Sequence, residues 1–132
     1  MNTNKTESKG GGLFYPELSY LLMGILFEIH NKLGNKFQEK HYQRAIEIEL
    51  RKLCIPYEKE FKTQVNFEGE KLGDFFLDFV IDKKIILETK TIPMITMNDV
   101  KQVIRYLEST GMHLGIIVNF RGPQVEYRRV VK

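Results

Sequence analysis

Residues 74–90 read DFFLDFVIDKKIILETK. The stretch is mostly apolar and β-branched or aromatic, the make-up of buried strands. Yet Asp78 interrupts the first apolar run, and Glu88 and Lys90 close the second. An unpaired charge in an interior costs on the order of several kcal/mol. In a strand, residues two apart share a face. That puts Phe76, Asp78 and Val80 on one face and Phe75, Leu77, Phe79 and Ile81 on the other. In the next strand Ile86, Glu88 and Lys90 share a face, with Ile85, Leu87 and Thr89 opposite. If Asp82-Lys83-Lys84 form a three-residue hairpin loop, Ile81 pairs with Ile85 and Asp78 lies opposite Glu88. A two-residue loop shifts that register by one. Directly opposed residues have Cβ atoms ~5 Å apart, and two carboxylates that close repel unless a proton or a cation lies between them. Lys90 is that cation if the cluster is a structural ion network. A divalent metal is that cation if the cluster is a site, since magnesium takes hard oxygen ligands from one or two carboxylates. The spacing favours the metal site, because buried, perturbed charges gather at functional sites.

The surrounding chain is that of an ordinary globular domain. Its 132 residues suit one core, and 42% hydrophobic with 28% charged residues is unremarkable for one. A net charge of +3 permits a polyanionic partner without requiring one. The single cysteine, Cys54, excludes an internal disulfide and fits a reducing, cytoplasmic setting. Between Leu53 and Ile55 it reads as a buried structural thiol. Residues 1–12, MNTNKTESKGGG, read as a flexible polar tail with no secretory character, and residues 13–132 as the single domain. The apolar segment over residues 18–29 falls short of the ~20 residues that span a bilayer, so no membrane role is expected.

The periodicity predicts a helix over residues 16–33 and a second over about 37–53, before Pro56. Residues 58–69 then alternate and end in a turn, and the two strands of the opening stretch follow. Thr96 begins a third helix, with Asp99 as its capping-box partner and Gly111 as its close. Residues 113–120, HLGIIVNF, form an apolar central strand, and residues 125–131 an edge strand. The order is ααβββαβ with a last β: an α/β fold whose mixed sheet of four to five strands is flanked by helices.

Other polar residues fall into place around the hairpin. On the second helix Glu39 shares the buried stripe of Tyr42, Ile46 and Leu50 and aims at the sheet, whereas Glu49, in the same arc, reads as a rim charge. On the third helix Gln102 and Tyr106 are four apart and flank the apolar stripe, which by spacing alone reads as a tyrosine hydrogen-bonded to a glutamine. His30, His41 and His113 are too scattered for a zinc site, and His30 reads as a cap on the first helix's last carbonyls. Lys36, Lys40 and Arg44 lie near Glu39 as candidate phosphate contacts, as does Arg121 with Arg128 and Arg129 near the C-terminus; solvated faces are the plainer reading.

Asp78 followed by Glu88-Thr89-Lys90 resembles the PD-(D/E)XK nuclease superfamily, whose fold is restriction-endonuclease-like. Leu77 stands where the name has proline. Gln102-Val-Ile-Arg-Tyr106 resembles the QxxxY motif of the RecB-like branch. Nearly the whole chain after the tail is similar to the small bacterial and archaeal GxxExxY proteins; Lys36 replaces the glycine, and Glu39 and Tyr42 are kept. The resemblance implies hydrolysis of nucleic acid, DNA above all, with Mg2+ or Mn2+ as cofactor and DNA repair as a setting. It implies Asp78, Glu88, the Thr89 carbonyl and Glu39 as metal ligands, Lys90 as the residue orienting the attacking water, and Gln102 and Tyr106 as positioning groups. A homodimer or a protein partner fits so small a chain. Two other readings stay open: a catalytically silent nuclease-fold module that binds nucleic acid or a protein, and an unrelated α/β protein whose charge cluster is only structural.

Overall fold

The computed structural model describes residues 14–132, so the expected tail lies outside the described residues. The order is α1 (Pro16–Leu33), α2 (Glu39–Lys52), β1 (Tyr57–Phe67), β2 (Glu70–Ile81), β3 (Ile85–Lys90), α3 (Met97–Thr110), β4 (Leu114–Asn119) and β5 (Glu126–Val131). Local chemistry sets the ends. Pro16 opens α1, and Gly34, at φ 74°, closes it by donating its N–H to the His30 carbonyl. Helix α2 starts two residues later than the periodicity suggests, because Gln38 is still extended and donates its N–H to His41 Nδ1 at 3.1 Å. Thr96 and Asp99 exchange hydrogen bonds at the start of α3, and Gly111, at φ 75°, ends it, both as expected.

The five strands lie side by side in chain order, antiparallel except for β3 and β4, which run parallel and are joined by α3. The expected central strand, β4, is internal, but β3 holds the middle place. On one face α1 and α2 set Leu22, Leu26, Tyr42, Ile46 and Leu50 against Phe79, Ile81, Ile85, Leu87, Ile116 and Val118. On the other, α3 sets Val100, Val103, Tyr106 and Leu107 against Leu77, Val80, Ile86 and Ile117. This is a mixed sheet between helical layers, the restriction-endonuclease-like arrangement. Among the described residues no helix is long and apolar enough to cross a membrane.

Strict alternation fails at one point, and it is the point that matters. Leu77 packs on the α3 side with Val80, whereas Phe79 and Ile81 pack on the α1–α2 side. Both β1 and β2 change face between their Lys59–Phe79 and Phe61–Leu77 pairs. The residues skipped there are Glu60, at φ 54°, and Asp78. The expected sharing of one face by Phe75, Leu77, Phe79 and Ile81 is therefore corrected: the twist at Asp78 divides them.

Two isolated expectations are also corrected. His30 does not cap its own helix; its Nε2 lies 3.0 Å from the Gly122 carbonyl, and its ring stacks on Phe120, which ties α1 to the loop after β4. Cys54 is exposed, at φ 57° in the turn after α2, and is not part of the core.

Helix α3 lies so close to β4 that a Cβ on Gly115 would sit 2.4 Å from Val103 Cγ1. Gly24, on the outside of α1, has open space around it. Gly115→Ala is expected to destabilise the domain by about 1–3 kcal/mol, and Gly24→Ala to stabilise it by about 0.5–1 kcal/mol. Thermal melting of both variants checks this, and equal effects of the two would contradict the close α3–β4 approach.

Candidate active site

The hairpin of β2 and β3 turns through Asp82 and Lys83, both at positive φ, and the Lys84 N–H closes on the Ile81 carbonyl at 2.9 Å. The three-residue loop is therefore real, and Ile81 pairs with Ile85 as the sequence suggests. The ladder stops after Phe79–Leu87. The next pair in register is Asp78 and Glu88, and there β2 swings away to continue with β1 alone. At this fork the acids replace the missing backbone partners. The Asp78 N–H donates to Glu88 Oε2 at 2.8 Å, and the Thr89 N–H donates to Asp78 Oδ2 at 2.9 Å. Each carboxylate thus accepts an amide of the opposite strand, while Asp78 Oδ1 and Glu88 Oε1 accept no hydrogen bond from the described residues and are not sealed from solvent.

Thr89 connects the fork to α2. Its Oγ1 lies 3.1 Å from Asp78 Oδ2 and 3.3 Å from Glu39 Oε2, and its single proton serves one of them at a time. Gln43 Nε2 donates to Thr89 Oγ1 at 2.8 Å and to Glu39 Oε2 at 3.1 Å. Gln43 was missed in the sequence. Its signal was there, one turn beyond Glu39 on the same face, but a glutamine beside Arg44 reads as surface. Tyr42, fully buried, stacks on Phe120 with centroids 4.3 Å apart and donates its hydroxyl proton to the Gly34 carbonyl, which fixes the loop before Glu39. Glu49 is a rim charge paired with Lys52, as expected.

Lys90 follows Glu88 on the α3 face. Its Nζ donates to Gln102 Oε1 at 3.2 Å and lies 3.8 Å from Asp99 Oδ1. Gln102 is therefore engaged by Lys90 and not by Tyr106, which corrects the tyrosine–glutamine pairing. Tyr106 does not flank the stripe but is buried within it, its ring 5.3 Å from that of Phe75. A second unforeseen group sets the loop between β3 and α3. Buried Asn119 donates to the Ile92 carbonyl and to Glu126, and accepts from the Ile92 N–H, while Glu126 accepts the Ile95 N–H. That loop carries the chain from Lys90 to its partners on α3.

The electrostatics are those of an anion excess. Glu88 is only 4% exposed. Burial, and then the charge of Asp78, push its carboxyl up to about 8 from an ordinary 4.5. Glu39 is raised by burial and by Asp78, and the Tyr106 hydroxyl is raised to about 12 by burial and then by Glu88 and Asp78. Lys90 offsets part of this for both glutamates. Three acids against one ammonium is a donor set that suits a hard divalent cation, and the free oxygens of Asp78 and Glu88 provide the two carboxylates magnesium commonly takes. Among the described residues no three His, Cys, Asp or Glu side chains converge on a common metal position. Asp78 and Glu88 are thus the nearer pair, and Glu39 is joined to them through Thr89. The basic candidates remain outside this cluster: Lys36, Lys40, Arg44 and Arg121 are all exposed, and Lys36 Nζ donates to the Leu33 carbonyl.

A solved structure, that of SSO0001, has a similar fold, with a TM-score of 0.57, 21% identity and 89% of this chain covered. The chain spans 57% of the length of that one. No curated protein matches. The family model of the PD-(D/E)XK nuclease superfamily matches residues 16–130, from the first turn of α1 to the end of β5. With Asp78 and the Glu88-Thr89-Lys90 strand brought together at the fork, the chain belongs to the PD-(D/E)XK nuclease superfamily.

Proposed function

We propose that the protein is a Mg2+- or Mn2+-dependent phosphodiesterase that cuts nucleic acid, DNA in the first place. We place it within the GxxExxY group and the RecB-like QxxxY branch, on Glu39, Tyr42, Gln102 and Tyr106. The observation that carries this reading is the fork. Two opposed carboxylates are each anchored by one oxygen and open at the other, with a lysine one step further along the strand. Asp78 and Glu88 would hold the cation, with the Thr89 carbonyl and Glu39 completing the site. When bound, the cation neutralises charge on the phosphate and makes water more acidic. The chain's own groups do the rest. Thr89 and Gln43 fix the Glu39 carboxylate, and Gln102 and Asp99 hold the Lys90 ammonium where it can orient the attacking water and stabilise negative charge on the phosphoryl oxygens. A cytoplasmic protein, as a homodimer or with a protein partner, completes the proposal.

The test incubates linear, circular and single-stranded DNA, and RNA, with Mg2+ or Mn2+. Cleavage is expected, and Asp78→Asn and Lys90→Ala should each lower its rate by roughly a hundredfold or more. Asp78→Asn keeps an acceptor for the Thr89 N–H, so it separates chemistry from folding better than alanine. Cleavage that persists in both variants would overturn the site, and no cleavage of any substrate would favour the silent-module reading.

A second expectation concerns pH in the presence of chelator. Between 4.5 and about 8 the folded state holds a proton on Glu88 that the unfolded chain has released. Stability therefore falls as pH rises through that window. Melting curves across it should show Tm declining, with the slope reduced in Glu88→Gln. A slope as steep in Glu88→Gln as in the wild type would place its origin elsewhere.

A further inference from the structure

Beyond the fork, β1 and β2 continue as a two-stranded arm, since β2 pairs with β3 only from Phe79 to Ile81. The arm does not stand free. Its α3 face rests on the helix through Phe61 and Phe75, and Thr63 Oγ1 lies 3.4 Å from the Ser109 carbonyl. Between the arm and the outer side of α3 is a cavity of about 500 Å3, within the ~300–1,000 Å3 of small-molecule sites. It is lined by Phe75 and Val65 of the arm and by Arg105 of α3, among others. Arg105 is exposed and makes no ion pair with another described side chain. Glu108 borders the cavity, but it is paired with Lys132 at 3.4 Å.

This cavity adjoins the fork without overlapping it. None of Asp78, Glu88, Lys90 or Glu39 lines it. Phe75 lies three residues before Asp78 on the same strand, ~10 Å at the usual rise, and its ring meets that of Tyr106, which feels the charges of Glu88 and Asp78. A planar ring and an exposed guanidinium are what a stacked nucleotide calls for: a face for the base and a cation for the adjoining phosphate. A base inside a duplex cannot enter such a recess without leaving its stack.

We infer that the cavity between the β1–β2 arm and α3 is a nucleobase subsite, which holds one unpaired base of the strand whose phosphate lies at the fork, stacked on Phe75 and bound by Arg105. The inference rests on the nuclease reading for its orientation, but binding can be measured without cleavage. A labelled single-stranded oligonucleotide is titrated with wild type, Arg105→Ala and Phe75→Leu in chelator, read by anisotropy. A series carrying one abasic nucleotide at successive positions is titrated in parallel. The wild type should lose roughly tenfold in affinity when one particular base is removed. Arg105→Ala and Phe75→Leu should bind the intact strand roughly tenfold more weakly and be indifferent to that same abasic position. Circular dichroism checks that Phe75→Leu is folded, and Arg105→Ala, an exposed position, carries the test if it is not. Equal sensitivity to the abasic position in wild type and Arg105→Ala, or no binding by the wild type, would overturn the subsite. Failure of cleavage with the abasic pattern intact would instead overturn the catalytic reading alone.

Discussion

Two carboxylates facing each other where β2 leaves β3 set the terms for the rest of the domain. Opposed acids in an interior repel, and the surrounding atoms are arranged to make the repulsion bearable. Each acid accepts an amide proton from the other's strand, so the charges stabilise the backbone that holds them. A continuous ladder would need no such help. Because β2 turns away at Asp78, the amides of Asp78 and Thr89 would otherwise be left without acceptors, at a cost comparable to a lost buried hydrogen bond. The break in the sheet and the acids at the break therefore depend on each other. The twist that passes β1 and β2 from one face to the other at Glu60 and Asp78 is the backbone expression of the same dependence.

The fork also decides which helices can serve it. Along β3, Glu88 and Lys90 point to the α3 face and Thr89 to the α2 face. A site built on three consecutive residues of one strand must straddle the sheet, and it can do so only where the neighbouring strand has left. Helix α2 then supplies an acid, Glu39, on Thr89's side, and α3 supplies holders for the lysine on the other. The remaining anion excess is what distinguishes this cluster from a closed ion network. With Lys90 drawn toward Gln102 and Asp99, the two acids of the fork keep open oxygens with no protein cation in contact.

What could be read in the sequence was what short-range chemistry determines. Pro16, Thr96 with Asp99, and Gly111 marked helix ends because capping involves residues within one turn of each other. The register of Asp78 against Glu88 followed from the length of one loop. Period-two alternation placed Glu88, Thr89 and Lys90 on their faces, but it could not foresee the twist at Asp78, since nothing in the residues around Glu60 marks its left-handed backbone. Gln43, Asn119 and Glu126 were missed for a related reason. Each has a partner 7 to 46 residues away, and nothing in such a polar side chain names its distant partner beforehand. Cys54 was misplaced because apolar neighbours in sequence were taken for neighbours in space, and His30 because nearness to a helix end was taken for a cap on that end.

Those missed residues extend the logic of the site. Lys90 can meet Gln102 only if the loop between β3 and α3 delivers the helix at one height. Asn119 grips both the N–H and the carbonyl of Ile92, and Glu126 accepts the Ile95 N–H, so β4 and β5 fix that height from below. Gly115 fixes the distance, since no side chain larger than hydrogen fits under Val103. The position of one ammonium group thus depends on an asparagine, a glutamate and a glycine on the strands beyond it. A lysine is long and flexible, and left alone it would fold onto the nearest carboxylates and close the cluster as an ion network. Holding it against α3 instead keeps the fork's oxygens open, and that is the arrangement a cation and a phosphate require.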